Sequence, residues 1–332
     1  MLTRPDALED AALCAAVRDG WGLNAVAAEY LPAGFGSHHW IVSAADGGRR
    51  FVTVDDLGSR EFLGGDRAAA FDGLTRAFAV AQVLHDRGLD WVVSPLSRAD
   101  GGVLRWLDER HSIAVFPWVD GTASSAYGSD AERVDVLALL GELHRSGEPV
   151  RTLARSETFE LPDRVDLEAG LLALDERWTG GPYSDPTRLL LREHAGEVQR
   201  LLADYDRLAE QASRDRSSWT ITHGEPHSRN VLRTHRGLRL IDWDTALFAP
   251  PERDLWMLLP VGGSDSLSKG YTEVTGHRVD PAALRLYALW WDLCDTAIYV
   301  AGFRGPHLDD EDAKVSWHRL REILQAGDRW GE

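Results

Sequence analysis

Lysine is nearly missing from this chain. Lys269 and Lys314 are the only two, and arginine carries almost all of the positive charge. Genome composition accounts for such a bias, yet it leaves no ammonium side chain anywhere ahead of position 269. Cysteine is equally scarce: Cys14 and Cys294 lie far apart, make no metal pattern, and are expected to be buried thiols in a reducing cytoplasm. No apolar run reaches the length of a membrane span, and Met1–Gly20 has no signal-peptide core, so a cytoplasmic location is expected. Basic groups are outnumbered, 36 against 53 acidic, for a net charge of −17. That balance argues against nucleic acid or an anionic membrane as partner and suits a cationic small molecule, such as an amino sugar or a basic peptide. There is no internal repeat, low-complexity tract or flexible linker. What remains, 332 residues of which 44% are hydrophobic and 27% charged, has the composition of an ordinary globular protein of one large or two moderate domains.

The stretch Thr222–Trp243 is the most informative. Trp219–Thr222 is a short β-prone run that ends in a polar loop. Val231–Arg233 and Leu238–Ile241 are two further runs joined by the turn Thr234–Gly237, in which Gly237 is free to take positive φ. Glu225 and Asn230 stand at the two ends of the first loop, and Asp242 follows the second strand of the hairpin. A carboxylate, an Asn five residues on, and an Asp after a hairpin is what phosphoryl transfer requires. The carboxylate orients the acceptor hydroxyl, while the amide oxygen and the Asp hold Mg²⁺ on the nucleotide phosphates. A polar loop whose Asn and Glu merely cap backbone groups would account for either residue alone, but not for the whole constellation with His223 and His227 beside it.

His223-Gly224-Glu225-Pro226-His227, Asn230-Val231-Leu232 and Ile241-Asp242-Trp243-Asp244 resemble the aminoglycoside phosphotransferase and choline kinase-like group. Pro251-Glu252-Arg253-Asp254-Leu255 is similar to that group's Pro-x-x-Asp-Leu segment. The resemblance extends along almost the whole chain. It implies an α+β, two-lobed protein-kinase-like fold, with a β-rich nucleotide-binding lobe over 1–117 and a mostly helical catalytic and substrate-binding lobe over 118–332. The region before the catalytic loop and the C-terminal helices are similar to the spectinomycin-type phosphotransferases.

The order of elements fits. Asp6–Arg18 has apolar residues at helical spacing. Ala25–Leu31, the loop Pro32–Ser37, His39–Ala44, the turn Asp46–Gly48 and Arg50–Val54 read as strand, glycine loop, strand, tight turn, strand. On the resemblance, Gly34, Gly36 and Ser37 lie over the nucleotide phosphates. Asp66–Arg87 is an amphipathic helix, and Trp91–Val93 and Val103–Trp106 read as strands. Ile113–Val119 resembles the hinge, which would turn the carbonyl of Pro117 and the N–H of Val119 toward adenine; an ordinary buried strand would share the same residues. Ala131–Arg145 and Leu189–Ala212 read as long helices, with loop breaks expected at Gly180–Pro182 and at Pro186. In the helix Pro281–Phe303, Asp292, Asp295 and Tyr299 share one face and are candidates for binding a cationic acceptor, against the alternative of core and solvated positions.

Two departures from the group bear on mechanism. Glu225 occupies the position of the usual catalytic Asp, and its extra methylene displaces the carboxylate by about an ångström, a shift worth on the order of 10²-fold in rate if uncompensated. The third strand, where the phosphate-binding lysine belongs, offers Thr53 instead. The following helix has no Glu to pair with it, only Asp66, Asp72 and Asp86. His38, Arg49, Arg50, Arg60 and Arg67 are the candidate replacements for the missing cation. The resemblance implies transfer of the γ-phosphoryl of ATP or GTP, with Mg²⁺, to a hydroxyl of a small polar and cationic molecule of the aminoglycoside kind. Glu225 would be the base and Asn230 and Asp242 the metal ligands. His223 would buttress the loop, His227 would do the same or contact phosphate, Asp244 would be a supporting group or cap, and Asp254 would hold the loop backbone. A nucleotide-binding protein without turnover, or a nucleotidyl transferase, are the competing readings of the same departures.

Overall fold

The computed structural model describes residues 1–60, 65–259 and 265–328. The chain forms two compact units. The first comprises Met1–Glu157, Trp219–Leu258 and Ser264–Arg278, and the second Thr158–Ser218, Leu259–Gly263 and Val279–Glu332. The expected lobe boundary after Pro117 falls inside the first unit. The architecture is α+β, β-rich toward the N-terminus and helical toward the C-terminus.

In the first unit, α1 (Asp10–Trp21) precedes β1 (Ala25–Leu31), β2 (Ser37–Ala44) and β3 (Arg49–Asp56). After α2 (Arg67–Asp86) come β4 (Arg105–Trp106) and β5 (His111–Pro117), which complete an antiparallel sheet of order β1-β2-β3-β5-β4. Its register puts Thr53 level with His39 and Ala114, and Asp55 level with Ser37 and Ser112. Residues opposite one another, and those two apart on a strand, share a face. One face carries Trp40, Val42, Val52, Val54, Ile113 and Val115, and it packs with α1 through Leu13, Val17 and Trp21. The other face is apolar at one end, where Phe51, Ala114 and Phe116 meet Leu74 and Phe78 of α2. At its other end it carries Ser37, His39, Thr53, Asp55 and Ser112. That change along one surface is what creates a site.

The rest of the first unit holds α3 (Asp130–Arg145), β6 (Arg155–Ser156), β7 (Thr220–Thr222), the hairpin β8 (Val231–Thr234) and β9 (Gly237–Leu240), β10 (Leu247–Ala249), α6 (Glu252–Leu255) and α7 (Asp265–Thr275). Strands β6, β10 and β7 form a small sheet. The second unit is a helical layer of α4 (Arg164–Leu172), α5 (Ser184–Ser213), α8 (Pro281–Arg304) and α9 (Glu311–Ala326) around Leu191, Leu202, Leu286, Leu293, Val300 and Leu320.

Side-chain caps set the start of four helices. Asp66, Ser129, Asp280 and Asp310 each accept a backbone N–H of the first turn they precede. Four expectations need correction. α1 starts at Asp10, because a turn from Pro5 to Leu8 uses the residues ahead of it. Trp91–Val93 is no sheet strand; Val92 makes an isolated bridge to Leu240 of the hairpin. Val103–Trp106 shortens to two paired residues. Pro186 does not break a helix but sits in the first turn of α5, where no intrahelical acceptor awaits its missing N–H. Among the described residues no helix is long and apolar enough to cross a membrane, and Cys14 and Cys294 are both buried, with no disulfide between them.

Candidate active site

The loop after β7 is held by one buried carboxylate. Asp254, fully buried at the end of α6, accepts the backbone N–H of His223 at 2.9 Å and of Gly224 at 2.6 Å. His144 of α3 bonds the same carboxylate at 2.9 Å and is itself bonded by the Tyr271 hydroxyl at 2.6 Å. Although burial raises the pKa of Asp254, these hydrogen bonds and the neighbouring His144 bring it below the usual carboxylate range. Gly224 has φ +101°, and a Cβ there would lie 2.4 Å from the Arg253 guanidinium, so only glycine fits. His223 is committed at both nitrogens. Nε2 meets the Ile241 carbonyl at 2.8 Å and must donate, so Nδ1 accepts the Glu225 N–H at 3.1 Å. Burial pushes its pKa down, in keeping with that neutral form. The Asn230 side-chain N–H₂ donates to the Glu225 carbonyl at 3.0 Å, which leaves its Oδ1 as the atom turned away from the loop backbone. The Asn230 carbonyl accepts the Ile241 N–H at 3.0 Å, and the Tyr127 hydroxyl holds the Pro226 carbonyl. Glu225, Asn230 and Asp242 are thus tied into one constellation. His227 Nε2 lies 3.9 Å from the Glu225 carboxylate.

Asp242, the residue after the hairpin, has φ +69°, a left-handed conformation that costs a non-glycine residue roughly 1–2 kcal/mol. It reaches solvent, yet burial of its surroundings, then repulsion from Asp244 and Glu225, lift its pKa well above the carboxylate range. Four carboxylates, those of Asp55, Glu225, Asp242 and Asp244, act on a single guanidinium, that of Arg60. Arg60 is 7% exposed; it bonds Asp244 at 2.8 Å, lies 3.0 Å from Asp55, and donates to Ser37 Oγ at 2.6 Å. Ser37 in turn donates to Asp55 at 2.7 Å. The cluster is short of positive charge, which a divalent cation would supply. Among the described residues no three His, Cys, Asp or Glu side chains gather as a cation site made by the protein alone.

Of the residues expected to bind nucleotide, Ser37 and Thr53 lie on the polar face beside this cluster, and Gly36, at φ +87°, packs against Arg60. Gly34, at φ +73°, lies over His39. Pro117 closes β5, and Val119 follows two residues on, both half-buried. Asp292, Asp295 and Tyr299 belong to α8 in the second unit. Asp292 and Tyr299 are buried there, and burial, followed by the charge of Asp295, pushes the Tyr299 phenol up to about 12. Sequence reasoning did not find Asp55, Tyr127 or the His144–Tyr271 pair. Asp55 was within reach, because strand alternation puts it on the same face as Thr53; the other two are long-range contacts without a local signal.

A site of this build, a pinned loop bearing a carboxylate and an Asn with an Asp after a hairpin, belongs to the phosphotransferases. The model of the phosphotransferase enzyme family matches residues 27–289, and the chain belongs to that family. It is 33% identical over 262 residues to protein StrN of Streptomyces griseus, covering 75% of this chain and 76% of that one. Among solved structures it is similar to spectinomycin phosphotransferase in complex with ADP and spectinomycin, with a TM-score of 0.75 at 14% identity over 98% of this chain and 99% of the other. It is also similar to a choline kinase from Streptococcus pneumoniae, with a TM-score of 0.56 at 15% identity over 95% and 98% of the two chains. The fold is therefore the kinase-like one.

Proposed function

We propose that the protein transfers the γ-phosphoryl group of ATP or GTP to a hydroxyl of a small polar, cationic molecule of the aminoglycoside kind. The observation that carries this reading is the loop pinned by Asp254, which displays Glu225 and Asn230 beside Asp242. Glu225 accepts the proton of the acceptor hydroxyl as its oxygen attacks phosphorus. Asn230 Oδ1 and Asp242 are the groups that would hold Mg²⁺, and the crowding of Asp242 by Asp244 and Glu225 fits a carboxylate that gains from a cation. Bound there, Mg²⁺ would neutralise phosphate charge, with water and phosphate oxygens as its remaining ligands. That division suits a site where, among the described residues, no three acidic or histidine side chains converge as a cation site. His223 keeps the loop in register, since both its nitrogens are used. On the acceptor side, the net charge of −17 favours a cation, and Asp295, less buried than Asp292, is the carboxylate of α8 assigned to it.

The test is thermal melting with ATP and GTP, each with and without Mg²⁺, followed by an ADP-release assay on a panel of aminoglycosides and amino alcohols. A Mg²⁺-dependent shift and acceptor-stimulated ADP release are expected. A shift without turnover on any acceptor would support a binding protein instead, and release of pyrophosphate would support nucleotidyl transfer.

A further inference from the structure

We infer that Arg60, delivered from the turn after β3, is the cation that receives the donor's phosphates, and that Asp55 of the same strand is the acid that holds it in place. The inference rests on the phosphotransferase reading and adds the identity of the phosphate site. Thr53 stands in mid-strand on the polar face of the sheet, buried and level with His39 and Ala114. The Arg60 guanidinium occupies that region. It touches Ser37 at the start of β2, Asp55 two residues beyond Thr53 on β3, and Asp244 beyond the hairpin. A Cβ on Gly36 would lie 3.2 Å from its Nη2, so the glycine loop passes directly over the cation. The other candidates are engaged elsewhere. Arg49 pairs with Asp120 and lies over the Trp118 ring, Arg50 bonds its neighbour's carbonyl, Arg67 bonds the Glu109 carbonyl, and His38 bonds Tyr30.

A second observation points to a ligand. Arg60 Nε, Asp55 Oδ2, Thr53 Oγ1, Ser112 Oγ and His39 Nδ1 are buried polar atoms without a hydrogen-bond partner among the described residues. The four strand residues all share the face on which Arg60 lies. Buried polar groups are normally satisfied, and a cluster of exceptions on one surface marks a place built for something else. Arg60 has donors left over after its two carboxylates. A phosphate oxygen would take up Nε and share the guanidinium with Asp244, while Asp55, fixed by Ser37, keeps it from leaving.

The experiment is calorimetric binding of adenosine and of ADP with Mg²⁺ to the wild type, Arg60→Gln and Arg60→Lys. Arg60→Gln is expected to weaken ADP by roughly 10- to 100-fold and adenosine by less than about twofold, the scale of losing one charge-assisted bidentate contact. Arg60→Lys, which keeps a point charge but not the fork, should fall between. Equal loss of both ligands, or loss of neither, overturns the role of Arg60 and leaves the phosphotransferase reading intact. If the wild type binds neither ligand, both fall. A wild-type structure with Mg²⁺ and ADP needs no substitution. A phosphate oxygen within hydrogen-bond distance of the Arg60 guanidinium is expected there, and a guanidinium touching only protein carboxylates refutes the proposal even if Arg60→Gln does not fold.

Discussion

Two polar regions of the first unit are built on opposite principles. In the loop around His223, nearly every group is spent on structure. Asp254 takes two backbone N–H groups, His223 bridges Glu225 to Ile241, and Asn230 ties back to Glu225. On the sheet face around Thr53, by contrast, several buried oxygens and nitrogens have no partner among the described residues. The backbone of the first region is fixed by these hydrogen bonds, which position three side chains. The second, on the proposed reading, gains its partners when the donor binds. Catalytic geometry needs the former, because a misplacement of about 1 Å costs on the order of 10²-fold. Phosphate binding tolerates the latter, because an anion brings several acceptors of its own.

The comparison is sharpened most by Asp242→Ala. If Asp242 is a metal ligand, turnover should drop by at least about 10³-fold, the scale of losing a principal charge-stabilising group. Its removal also relieves the repulsion from Asp244 and Glu225, so the apo protein should melt at the same temperature or higher. Lost activity with retained or raised stability is the signature to look for in a coupled ADP assay and a melting curve. A variant that loses both would make Asp242 part of the scaffold.

Asp254→Ala should show the reverse pattern. It strands the His223 and Gly224 N–H groups in a buried position, at about 1–3 kcal/mol each, and removes the partner of His144. A fall of several kcal/mol in unfolding free energy is expected from denaturant titration, with activity lost along with the fold. A stable but inactive variant would mean that Asp254 acts on chemistry rather than on the loop.

The sign of the pH dependence separates the regions again. Burial, helped by the nearby α-amino group and Arg60, pushes His39 down to about 3, against 6.5 for the free side chain. A depressed histidine takes its proton in the unfolded chain first, so its stabilising share is present above pH 6.5 and is lost as pH falls toward 3. Asp55 and Asp242, raised by burial, contribute in the opposite direction, gaining protons first in the folded state. His39→Gln isolates one term: melting profiles of the two proteins should converge as pH falls from 6.5, with a difference slope approaching one proton. Parallel profiles would place the His39 ring in contact with water.

Much of the loop was legible in the sequence. Its residues are consecutive or joined by a hairpin, and spacing alone brings Glu225, Asn230 and Asp242 into one place. Asp254 and its duty to the loop were readable from the resemblance. The sheet face was not. The resemblance set Thr53 in the lysine's place, but the replacement proposed here depends on Arg60 reaching Asp244 across 184 positions of sequence, which no local pattern encodes. Strand alternation and register would have added Asp55 and Ser37 to Thr53, and with one acid and two hydroxyls on one face, Arg60 becomes the natural cation among the five candidates. The starts of α2, α3, α8 and α9 follow capping Asp or Ser residues that the sequence shows. Short strands failed because two or three paired residues are fixed by their partner rather than by their own propensity.

The smallest effect tests the contrast most directly. Thr53→Val replaces a hydroxyl that has no partner by a methyl of the same shape. In a finished region such a change costs about 1 kcal/mol or more, because it breaks a bond and leaves a widow. On the sheet face it breaks none, so the apo protein should be unchanged or more stable by up to about 1 kcal/mol. If the hydroxyl has a task only when nucleotide is bound, the cost appears there: the melting shift given by Mg²⁺ and ADP should shrink in Thr53→Val while the apo melting point holds or rises. A destabilised apo variant would instead mean that the face is complete without ligand, and the distinction between the two regions would dissolve.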